Sequence, residues 1–70
     1  MTHRAWVTPE EQQEIAGGPL EKGDVIYTDR ELAPADPGPL PRIVGRRRWT
    51  CIGVLSDGYA LVRTRLGATS

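Results

Sequence analysis

Seventy residues carry nine cationic and nine anionic side chains, one cysteine and one histidine. That is one domain at most, with no internal disulfide and too few ligands for a structural zinc site. A chain this short buries only about 60% of its unfolded surface, so without a staple it gains from self-association or a bound partner.

The charge is unevenly spread. Residues 1–36 hold three cations against eight anions, and residues 37–70 hold six against one. Such asymmetry points to nucleic-acid or membrane interaction, or to the acidic half folding onto the basic half. Eight arginines against one lysine, with many Gly, Pro and Ala, fit a GC-rich coding sequence. The chain's size and that bias suggest a phage-encoded accessory, host-modulating or virion protein.

The opening Met-Thr-His-Arg-Ala-Trp has no apolar leader core, and no run approaches the roughly 18 apolar residues of a membrane helix. No membrane association is expected. A cytoplasmic location, or the virion if phage-encoded, is expected. His3 falls in a terminal segment expected to fray.

Thr8-Pro9-Glu10-Glu11 is a helix start. Thr8 suits the N-cap, Pro9 the first helical position, and Glu11 closes a capping box. Gly17-Gly18-Pro19 stops it, which predicts a two-turn helix over residues 9–16. Two turns do not hold alone, so it must dock through Ile15, Ala16 and nearby Trp6 and Val7, leaving an acidic, Gln-rich face wet.

Lys22-Gly23-Asp24 reads as a turn into a strand at Val25-Ile26-Tyr27-Thr28. Residues 33–41 contain four prolines and read as a semi-rigid Pro-rich surface loop. Its Pro34-Ala35-Asp36-Pro37 also fits a short PxxP ligand, a pattern of low specificity. Arg42-Ile43-Val44 reads as a further strand or the start of a long one.

Residues 49–55 and 59–66 are two β-rich runs separated by Ser56-Asp57-Gly58. Asp-Gly is a strong two-residue hairpin signal. That turn sets Ser56 against Tyr59, Leu55 against Ala60, Gly53 against Val62, Cys51 against Thr64 and Trp49 against Leu66. One face then holds Trp49, Cys51, Leu55, Ala60, Val62 and Leu66 as core. The other joins an apolar strip, Ile52, Val54 and Leu61, to Arg46, Arg48, Arg63 and Arg65. A one-residue slip would exchange the faces. Gly45 and Gly53 suit bends or bulges. Residues 67–70 read as a flexible tail.

These elements predict a mainly β fold. The expected form is a small open SH3-like barrel, or curved antiparallel sheet, of 4–5 short strands with one short N-terminal helix. The run Lys22-Gly23-Asp24-Val25-Ile26 resembles the first strand of several such barrels, including the MazF/PemK toxin ribonucleases. That likeness spans about five residues and implies a toxin-like ribonuclease as a distant alternative, with no catalytic residue carried over.

Little in the chain suits catalysis. Cys51 sits in an apolar strand as a structural thiol, and Glu10 and Glu14 share a solvated helix face. No phosphate loop, dinucleotide fingerprint or metal motif is present. A non-enzyme without cofactor or metal is expected. The candidate binding residues are Arg46, Arg47, Arg48, Arg63 and Arg65, whose guanidinium forks suit phosphate or carboxylate. They would meet a nucleic acid or an acidic partner, or pair with the acidic half. Ile52, Val54, Tyr59 and Leu61 are the candidate protein contact. The leading expectation is a binding or assembly module that contacts a protein or itself; the alternative is a nucleic-acid-binding regulator.

Overall fold

A computed structural model describes residues 2–36 and 45–65. The chain runs through strand β1 (Thr2–Val7), helix α1 (Pro9–Ala16), β2 (Val25–Thr28), β3 (Ala33–Pro34), β4 (Arg47–Val54) and β5 (Ala60–Arg65). The strands form one antiparallel sheet in the order β2-β4-β5-β1-β3. It is a small open barrel or curved sheet with one short helix, as its sequence predicts.

Helix α1 begins and ends where its caps dictate. Thr8 Oγ1 accepts from Glu11 N at 3.1 Å, and Glu11 Oε1 accepts from Thr8 N at 3.0 Å, the reciprocal capping box. Gly17 closes the helix at φ +78°, donating to Gln13 O.

The face predicted to stay wet is not wholly so. Gln12 is buried. Its Nε2 donates to Val7 O (3.0 Å) and Gly58 O (2.8 Å), and its Oε1 accepts from Leu20 N (2.9 Å). A buried amide is tolerated when its groups are paired in this way.

The N-terminal segment, expected to fray, is instead β1, an interior strand between β5 and β3. It alternates: Ala5 and Val7 are fully buried, while Arg4 is exposed and Trp6 half-buried. Trp6 therefore lies on the sheet face opposite the core rather than beneath the helix. His3 is held opposite Thr64.

The segment expected to be a Pro-rich loop contributes its first residues, Ala33–Pro34, to an edge strand. An edge strand is one of the few places where a sheet tolerates proline. Residues 37–41 of that loop, the strand expected at Arg42-Ile43-Val44, Leu66 and the tail at 67–70 lie outside the described residues.

The hairpin differs from its predicted register in an instructive way. Gly58 N donates to Leu55 O, and Leu55 N donates to Tyr59 O. The loop therefore has three residues, Ser56, Asp57 and Gly58, with Gly58 at φ +94°. This is the turn-plus-glycine-bulge loop that competes with the two-residue form. Its effect is a slip of one: Val54 pairs with Ala60, and Gly53 with Leu61.

A β-bulge between Cys51 and Gly53 then adds a second slip, so Cys51 pairs with Val62 and Thr50 with Arg63. Two slips restore the faces. Beyond the bulge Trp49, Cys51 and Val62 are core, as predicted, with Ala60, Ala5, Val7, Ile26, Leu20 and Leu32. Between turn and bulge the single slip stands. Leu55, predicted as core, is 48% exposed. Val54 shares the face of its partner Ala60, not that of Leu61.

Candidate binding face

Helix α1 and the core lie on one side of the sheet, so the other side is assembled from the outward positions of each strand. Register builds it row by row. Tyr27 pairs with Arg48, and Arg65 with Thr2; Val25 pairs with Thr50, Thr50 with Arg63, and Arg63 with Arg4. Carried two pairs past Thr50–Arg63, the β4–β5 register sets Arg48 beside Arg65. Leu61 and Trp6 form the next pair along β5 and β1.

Arginines far apart in sequence thus become neighbours at strand spacing, about 4.8 Å across and about 6.7 Å along. Arg48, Arg63 and Arg65 line one shallow depression of about 320 Å³ with Thr2, Thr50 and Thr64. A second depression joins Arg48 and Arg65 to Tyr27, Arg46 and Arg47. Thr64 Oγ1 donates to Arg48 O at 2.7 Å and fastens β5 to β4 at this end.

Four of the five predicted cations are exposed here: Arg46, Arg48, Arg63 and Arg65. Arg47 differs. It pairs with the buried Thr28 and is itself half-buried, so its strand parity puts it on the core side, at the rim of the second depression. Its Nε is buried without a partner among the described residues, and its Nη1 makes a long contact (3.4 Å) to Arg65 O.

Among the described residues, internal neutralisation does not reach this group. The ion pairs among the described residues are Arg4–Asp36 and Arg30–Glu14. The helix carboxylate thus takes Arg30, and none of the five predicted arginines is paired there. Asp36 also accepts from Arg4 Nε at 3.0 Å. That side-chain hydrogen bond, more than the charge attraction, holds the Asp36 carboxyl below its usual pKa and raises that of Arg4.

Comparison with models of known families, with curated proteins and with solved structures finds no match.

The face carries two aromatics outside the predicted site. Tyr27 is 56% exposed directly beside Arg48, and Trp6 lies at the next outward position beyond Arg4. The usable signal was the alternation Thr2, Arg4, Trp6 against His3, Ala5, Val7, a period-two pattern too short to stand out beside the helix signal that follows.

The predicted protein-contact residues do not form one strip. Leu61 and Ile52 are half-buried, with Leu61 on the arginine side. Val54 is 44% exposed on the opposite side, opposite Ala60. Tyr59 and Leu55 close the turn and are exposed at the hairpin tip. Cys51 is buried in the core. Among the described residues, no helix is long and apolar enough to cross a membrane.

Proposed function

We propose that this chain is a non-catalytic binding module, a small SH3-like platform that takes a single-stranded nucleic acid on the outer face of its sheet. The observation that carries this reading is the co-facial set Arg48, Arg63 and Arg65, unpaired among the described residues and flanked by Tyr27 and Trp6. Phosphates need several cations on one side, and unstacked bases need aromatic rings to lie on. An open sheet that offers both is a recurring solution for single strands.

The width of the face argues against a duplex. Five strands at about 4.8 Å span about 19 Å, more than the major groove's roughly 12 Å. The zero net charge does not oppose the reading, because binding responds to the local field. Glu14 and Asp29 share a depression with Tyr27 and Arg46, so the field that steers an anion rests on Arg48, Arg63 and Arg65, which line their depression with threonines and no acid.

Fluorescence anisotropy with a labelled oligo-dT or oligo-U at low salt tests this. Arg48→Glu and Arg65→Glu should each weaken binding by about tenfold or more. Absence of binding by the wild type at about 20 mM salt, or unchanged affinity in both variants, would reject it. Cleavage of RNA by repurified protein would replace the non-catalytic reading with a ribonuclease.

A second reading has its own support. Leu55 and Tyr59 are exposed at the hairpin tip, and apolar groups there suit a protein contact in an assembly or phage accessory role. Under that reading Leu55→Asp abolishes partner capture, while Arg65→Glu does not.

A further inference from the structure

The two edges of the sheet are treated differently. β3 is two residues long and carries Pro34; shortness and proline are the usual protections of an edge. β2 is Val-Ile-Tyr-Thr, with no proline, charge or bulge among its residues. Among the described residues it pairs with β4 alone.

Its hydrogen-bond polarity follows from one contact. Cys51 N–H donates to Asp24 O at 2.7 Å, so the backbone of Asp24 is turned toward β4. Direction alternates along an antiparallel strand. Ile26 and Thr28 therefore also address β4, and Val25 and Tyr27 turn their N–H and C=O to the open edge. Both also carry exposed side chains, 47% and 56%.

From this we infer that the chain self-associates edge to edge through β2, forming a two-fold dimer with a continuous ten-stranded sheet. An antiparallel pairing must set outward residues against outward residues. That excludes a dyad between Ile26 and Tyr27, the register that would also confront Asp24 with the partner's Asp29. A dyad through Tyr27 opposes two identical rings and pairs Val25 with the partner's Asp29, beyond the strand. A dyad through Ile26 pairs Val25 with the partner's Tyr27, and Tyr27 with the partner's Val25. All four hydrogen bonds then fall within regular strand, and each pair is aromatic against β-branched, a favourable cross-strand combination. The dyad is normal to the sheet, so the arginine faces of both copies lie on the same side.

Four edge residues per copy make a small interface, below the roughly 800 Å² per partner of stable complexes. The dimer is therefore weak and concentration-dependent. This inference stands independently of the nucleic-acid reading, and its test contains no nucleic acid.

Sedimentation velocity from about 10 μM to about 1 mM, an interval chosen to bracket a weak dimer, should show a monomer–dimer equilibrium. In parallel, amide exchange of Val25 and Tyr27 should slow with concentration, while that of Ile26 and Thr28 stays protected throughout. Val25→Pro removes an outward donor without touching the β4 ladder. It should be monomeric at every concentration with an unchanged circular dichroism spectrum. Should that variant unfold, Val25→Lys serves the same purpose through charge at the edge. A wild type that is monomeric at 1 mM, a dimer that persists in the folded variant, or Val25 and Tyr27 amides indifferent to concentration would overturn the inference.

Discussion

The side-chain amide of Gln12 donates to the carbonyl oxygen of Gly58 across 2.8 Å, fastening the helix to the turn of the hairpin. Through its other two bonds the same amide also holds Val7 and Leu20. One side chain thus joins β1, α1, the segment before β2 and the β4–β5 turn. The turn sets the first register slip, and with the bulge it determines which arginines become neighbours.

Removing that amide should be among the costlier polar substitutions. Gln12→Leu keeps much of the volume but strands buried backbone groups that Gln12 satisfied. A loss on the order of 2–3 kcal/mol follows, a large part of what a domain this size holds. Urea unfolding followed by tryptophan fluorescence measures it, and Gln13→Leu, at an exposed neighbour, should be near neutral.

Gly58→Ala should destabilise by about 1–2 kcal/mol through its left-handed backbone alone. Its φ is +94°, and an added Cβ would lie 3.2 Å from Pro9 Cγ. The same denaturation experiment reads this cost. Gly18→Ala, at a position with open space and no positive φ, is the control and should cost little.

The Arg4–Asp36 pair gives a pH dependence of definite sign. Asp36 titrates below its unfolded value, so its contribution is present above the unfolded carboxyl pKa. It disappears as pH falls through the lower folded value. Because the pair is exposed, salt should weaken the effect. NMR titration of the Asp36 carboxyl should give a lowered midpoint in wild type that returns toward normal in Arg4→Gln.

Local signals fix some residues of this fold and leave others to long-range pairing. The helix over residues 9–16 was readable because Thr8, Pro9, Glu11 and Gly17 act locally. Trp49, Cys51 and Val62 are readable as core because the two register slips cancel beyond the bulge, and Ala60 because it shares the strand parity of Val62. Leu55 and Val54 lie on faces opposite to those a two-residue turn dictates because the loop has three residues, and no local signal decides between the two loops. β1 has no such local signal, because its strand character depends on partners 53 to 63 residues away in sequence. Gln12 escaped because burial of a polar side chain depends on acceptors supplied by other elements. The arginine cluster was legible as a list. Its geometry, and the presence of Tyr27 and Trp6 beside it, required the strand order.

The most direct measurement is an NMR titration of the protein with a short single-stranded oligonucleotide at low salt, following backbone amides, arginine Nε–H groups and the tryptophan indoles. Shifts should concentrate at Thr2, Arg4, Trp6, Tyr27, Arg48, Arg63 and Arg65 and leave Glu10, Gln13 and Glu14 unmoved. Shifts confined to the Leu55–Tyr59 tip, or none at all, would contradict the account.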